Sequence, residues 1–124
     1  MSEIFGRQTR AGLVGLPVAE SLDIDAGTMD WQDCGAEGFY IKPLLEDGSA
    51  GMRTWLMKVG AGAFSPLHAH DEFEQIYVLE GSFYDQHKSY GPGEFIVRAP
   101  GAMHSAGSED GAIVLLFYSP KTGG

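Results

Sequence analysis

GAFSPLHAHDEFEQIYVLEG, from Gly62 to Gly81, sets a pair of histidines inside a frame of glycines. His68 and His70 stand two residues apart, so on an extended strand both imidazoles point to the same face and form a chelating pair. Glu74 follows four residues after His70, across the polar step Asp71-Glu72-Phe73, which lets a carboxylate on the next run face the pair. That run, Glu74 to Leu79, has the length and the apolar residues of a strand and stops at Glu80-Gly81.

Beyond it the chain repeats the same punctuation. Eighteen glycines and six prolines fall in short clusters that separate apolar runs of strand length. The runs are Met52 to Val59, Glu74 to Leu79, Ser82 to Gln86, Glu94 to Arg98 and Ile113 to Ser119, with Phe39 to Leu45 as an earlier strand ended by Glu46-Asp47-Gly48. Ile113 to Tyr118 is apolar on both faces, which predicts cover on both sides, as a closed barrel or tight sandwich supplies. Asp25 to Glu37 reads as loop anchored by Trp31, and no long segment has helical periodicity. The fold class expected is all-β.

His104 arrives thirty residues after Glu74, in Pro100-Gly101-Ala102-Met103-His104. Imidazole nitrogens with one carboxylate oxygen suit Fe(II), Mn(II), Ni(II), Co(II), Zn(II) or Cu(II), and a set of three histidines and one glutamate leaves two octahedral positions for water, substrate or dioxygen. The remaining histidine, His87, reads as a solvated turn residue. Asp71 and Glu72 read as exposed loop charges. Trp55, Met57, Tyr40, Phe83, Met103 and Phe117 are candidates to line a cavity, although core filling is their default role. Lys42 and Arg53 are expected to point outward.

The whole chain sets further bounds. Its 124 residues are the size of one domain, spanning 1–124, and 44% hydrophobic with 20% charged residues is ordinary for a globular protein. A net charge of −9 would repel phosphate backbones and anionic membrane surfaces, so neither nucleic acid nor membrane is an expected partner. The one cysteine, Cys34, excludes an internal disulfide and a thiolate-rich zinc site, and reads as a partly buried apolar residue. No apolar run has the ~18 residues of a membrane span, and Met1 to Gly15 lacks the order of a signal peptide, so the expected location is cytoplasmic. Residues 1–22 carry Ile4, Phe5, Leu13, Val14 and Leu16, which predicts a homodimer arm packed on the partner subunit.

Together these residues resemble the cupin superfamily. Gly62, His68, His70, Glu74 and Gly81 fit every fixed position of its first motif, and Gly93, Gly101 and His104 fit the second, so the motif core spans 62–108. Two positions depart: proline falls one place late, at Pro100, and Ser108 stands where the superfamily often has asparagine. A lone pair of histidines would be read as packing; the fixed offsets of the glycines, Glu74 and His104 reverse that reading. The resemblance implies an antiparallel RmlC-like jelly-roll barrel, often homodimeric, holding one divalent transition metal, Fe(II) or Zn(II) first with Mn, Ni or Co as alternatives, through His68, His70, Glu74 and His104. Val78 to Asp85, Tyr90 to Phe95 and Pro100 to Ser105 look most like the ChrR-type cupins and small free-standing cupin dioxygenases. The function expected is a metal-dependent oxygenase of a small enolisable ketone or diketone. A zinc-bound small-molecule sensor and a non-redox Lewis-acid isomerase or hydrolase are the alternatives, since identical ligands serve all three.

Overall fold

The computed structural model describes residues 16–121. Residues 1–15, most of the expected dimer arm, lie outside the described residues. Ten strands follow in order: β1 (Gln32–Asp33), β2 (Phe39–Asp47), β3 (Met52–Val59), β4 (Phe64–His68), β5 (Glu72–Gly81), β6 (Phe83–Tyr84), β7 (Ser89–Tyr90), β8 (Phe95–Arg98), β9 (His104–Gly107) and β10 (Ala112–Pro120). Among the described residues the only helical element is a 3-10 turn at Ala26–Thr28.

The strands form two antiparallel sheets, one ordered β1-β2-β3-β10-β5-β8 and one ordered β4-β9-β6-β7. Alternation decides what lies between them. Val114, Leu116 and Tyr118 of β10, Ile76 and Val78 of β5 and Ile96 of β8 point inward from the larger sheet and meet Phe83 and Ala106 of the smaller one. Full burial of each such aliphatic side chain contributes roughly 1.5–3 kcal/mol, so this layer is what holds the sheets together.

The expected cover on both faces of β10 is not what the described residues show. Ile113 and Leu115 are only half-buried and Phe117 is exposed, because their side of the sheet is the outer one. The run Ser82 to Gln86 shortens to Phe83–Tyr84, since Asp85 turns the chain by accepting the amide N–H groups of His87 and Lys88.

Gly81 ends β5 at φ +76°, where a Cβ would sit 1.9 Å from the Gly111 carbonyl oxygen, so no other residue fits. At Gly101, also at positive φ, the amide N–H donates to the His70 carbonyl over 2.7 Å, tying the second motif's loop to the first. Ser108, fully buried, accepts the Gly111 N–H at 2.7 Å and holds the turn into β10 with its hydroxyl.

Candidate metal centre

His68 is the last residue of β4, and its partner in register is His104, the first residue of β9. His70 lies in the connection just after β4, not on the same strand as His68, yet its ring stays 5.1 Å from that of His68 and 5.6 Å from that of His104. One ring nitrogen from each of the three lies within 4.8 Å of the others, close enough for one ion.

Local hydrogen bonds prepare these rings. Nδ1 of His68 is 2.8 Å from the Pro66 carbonyl oxygen, which can only accept; in the neutral ring this contact puts the proton on Nδ1 and leaves Nε2 as the ligand atom. His104 makes the same contact to the Ala102 carbonyl at 3.4 Å. Burial holds His104 below the ordinary imidazole value; the Glu74 carboxylate opposes this, while Arg98 and His68 add to it.

Glu74 belongs to β5 on the opposite sheet and is 4% exposed. Its Oε1 lies 3.5 Å from His104 Nε2 and has no hydrogen-bond partner. A buried carboxylate oxygen without a donor costs free energy unless something positive meets it. The nearest cation is Arg98, across β8 in direct register, but its Nε approaches only to 3.4 Å and without hydrogen-bond alignment. The three-histidine group does not take in Glu74, whose oxygen is near His104 alone, but three imidazoles with an unsatisfied carboxylate oxygen on the same cavity are donor types that fit a divalent transition metal.

Three residues that sequence reasoning passed over surround this set. Tyr118 stands opposite Glu74 in the β10–β5 register, with its ring 5.4 Å from His70. Burial pushes its phenol well above the usual range, and the Glu74 charge adds to that, so it stays protonated. Arg98 is buried and pairs through Nη2 with Asp85 Oδ2 at 3.2 Å. Burial works to raise the Asp85 carboxyl, but the His87 and Lys88 amides and Arg98 outweigh it and hold the group below the usual carboxylate range. An inward arginine on β8 could have been read from its even spacing with Ile96.

A cavity of about 190 Å³ opens beside the three histidines and Glu74. Trp55, Met57, Phe83, Ile76 and Leu116 form its apolar wall, with Tyr118 and Ser65 as polar groups. Of the sequence candidates, Tyr40, Met103 and Phe117 are not part of it, and Met103 and Phe117 are exposed. Cys34 lines the rim but is exposed, because it lies in the open segment before β2; its thiol donates to the Phe39 carbonyl. Lys42 does face away, donating to the Ala26 carbonyl and lying over Trp31. Arg53 does not: it lies 4.1 Å over the Tyr118 ring and pairs with Glu72, which is a half-buried strand residue, not an exposed loop charge. His87 and Asp71 are exposed, as expected.

The family described as the ChrR Cupin-like domain matches residues 20–122. Solved structures agree in fold. An RmlC-like cupin from Ralstonia eutropha JMP134 superposes with a TM-score of 0.73 at 17% identity, covering 82% of this chain and 69% of that one. The polyketide cyclase RemF from Streptomyces resistomycificus gives 0.70 at 22% identity, covering 82% and 81%. The anti-sigma ChrR of Rhodobacter sphaeroides, in complex with SigE, gives 0.62 at 24% identity, covering 72% of this chain and 48% of that one. No curated protein sequence matches significantly. Among the described residues no helix is long and apolar enough to cross a membrane.

Proposed function

This chain belongs to the ChrR cupin-like family, and from that premise we propose that it is a metal-dependent oxygenase of a small enolisable ketone or diketone, with His68, His70, Glu74 and His104 as ligands of one divalent metal. The observation that carries the reading is the three-histidine group, with the unsatisfied Glu74 oxygen 3.5 Å from His104 Nε2 on the wall of the same largely apolar cavity. Fe(II) or Zn(II) is the expected ion, with Mn, Ni or Co as alternatives. When bound, such an ion supplies Lewis-acid polarisation of substrate oxygens and, if redox-active, the electron transfer that dioxygen chemistry needs.

The chain's own groups do the rest. Three neutral imidazoles and one carboxylate would leave a divalent centre with net charge near +1, which favours an enolate over its neutral keto form. Tyr118 Oη keeps its proton and donates a hydrogen bond to an oxygen of the bound substrate. Trp55, Met57 and Leu116 exclude water and accept a short apolar substituent. At about 190 Å³ the cavity admits only a small molecule.

A second reading has its own support. The family match and the fold shared with ChrR favour a zinc-bound module that senses a small metabolite. Metal analysis of natively purified protein, followed by oxygen-electrode assays of the Fe(II)-loaded form with a panel of β-diketones and hydroxyketones, separates the two. Iron with substrate-dependent oxygen uptake is the expected result. Tightly held zinc without oxygen uptake would overturn the oxygenase reading.

A further inference from the structure

Behind the cavity, the turn between β6 and β7 reaches two of the four proposed ligands by separate routes. Asp85 is anchored on Oδ1 by the amide N–H groups of His87 and Lys88, at 2.8 and 3.1 Å. Its Oδ2 accepts the Tyr90 hydroxyl at 3.2 Å and pairs with Arg98 Nη2 at 3.2 Å. Neither Asp85 nor Arg98 lines the cavity. The next residue, Gln86, brackets His104: its Oε1 accepts the Ser105 N–H at 3.0 Å and its Nε2 donates to the Met103 carbonyl at 3.0 Å.

Arg98 and Glu74 are both buried and directly opposite in register, a setting in which a guanidinium and a carboxylate would normally close into an aligned, two-pronged pair. They do not. Arg98 Nε stops 3.4 Å from Glu74 Oε1 and Nη2 stops 3.2 Å from Asp85 Oδ2, neither aligned as a hydrogen bond, so the guanidinium lies between two carboxylates and closes on neither. A guanidinium shared in this way neutralises part of the local negative charge without capping the oxygen that lies beside His104.

We propose that the β6–β7 turn positions the metal site from outside the cavity, Asp85 by competing through its charge for the Arg98 guanidinium that would otherwise close on Glu74, and Gln86 by fixing the backbone on both sides of His104. Asp85, Arg98 and Gln86 are positioning residues, and the inference rests on the reading that Glu74 and His104 are ligands. Outer groups that orient ligands in this way typically change metal affinity about ten- to hundred-fold.

The test is Co(II) titration of metal-stripped full-length protein, following affinity and the visible ligand-field band. Asp85→Asn keeps the acceptor for the turn amides but frees Arg98 to close on Glu74, so affinity should fall about ten-fold or more and the band should shift. Adding Arg98→Met should restore most of that loss, which a merely structural role would not do. Gln86→Ala, at an exposed side chain that keeps the test open even if Asp85→Asn misfolds, should weaken binding and alter the band. Wild-type affinity and spectrum in both single variants, or no recovery in the double variant, would overturn the proposal. A wild type that takes up no Co(II) would instead overturn the metal reading on which it rests.

Discussion

His68 and His104 are cross-strand partners on β4 and β9, with ring centroids 4.3 Å apart. Two imidazoles this close, each with its outer nitrogen directed at a backbone carbonyl, are arranged to share one cation and not to be protonated together. If they serve one ion, their losses are not independent. His68→Ala and His104→Ala should each remove most bound metal, and the double variant should lose little more than either. Elemental analysis checks this; two partial losses that add to a full one would speak for separate sites.

Tyr118→Phe isolates the phenol, because it keeps the buried ring against His70 and Trp55. Metal content should stay at the wild-type level. Turnover should drop roughly 10- to 10²-fold if Oη donates a hydrogen bond to the charge that develops on the substrate oxygen, with KM less affected. Unchanged kcat would remove Tyr118 from the mechanism.

A pH effect follows from His104. Burial depresses its folded value below that of the unfolded chain, so as pH falls through the unfolded value, about 6.5, unfolding takes up a proton and the metal-free fold loses stability. Asp85 acts oppositely placed on the scale: its depressed carboxyl contributes stability above the unfolded value that is lost only in stronger acid. Melting curves of the metal-free protein between pH 7.5 and 5.5 should therefore slope downward, and His104→Asn should flatten the slope. Parallel slopes would show that His104 is not the group responsible.

Assembly is open to a direct measurement. Phe95 lies opposite Tyr77, and Val97 and Phe117 flank Gln75, so four exposed apolar side chains share the outer face of the larger sheet. The chain is expected to be a homodimer, with a scattering mass twice 13.3 kDa. Val97→Asp should shift it toward monomer if this face is buried in the dimer. A wild-type monomer at micromolar concentration would contradict the expectation.

Glycine spacing and apolar runs made most of the strand order legible: Met52–Val59 matches β3 in full, and the other long runs err only at their ends. The reason is that strand length and turn chemistry are local properties. What could not be read depends on contacts between distant strands. The spacing with Ile96 turns Arg98 inward, but only the β5–β8 register sets it against Glu74, and only the β10–β5 register brings Tyr118 there. Likewise, Glu72 and Arg53 read as separate surface charges, and only the fold shows them paired. The histidines and Glu74 stood out because ligand spacing is itself a sequence pattern, whereas a register partner is not.

The most direct test of the central claim is metal content per chain, with melting temperature before and after chelation, in wild type, Glu74→Gln and His68→Ala. Glu74→Gln keeps size and one carbonyl oxygen but removes the charge that faces His104. Because binding stabilises only the folded state, wild type should carry close to one divalent ion and lose several degrees of Tm on chelation. Both variants should hold less metal and lose less, His68→Ala the more so because no donor atom remains. Wild-type metal content and the same chelation shift in both variants would contradict the assignment of His68, His70, Glu74 and His104 to one metal.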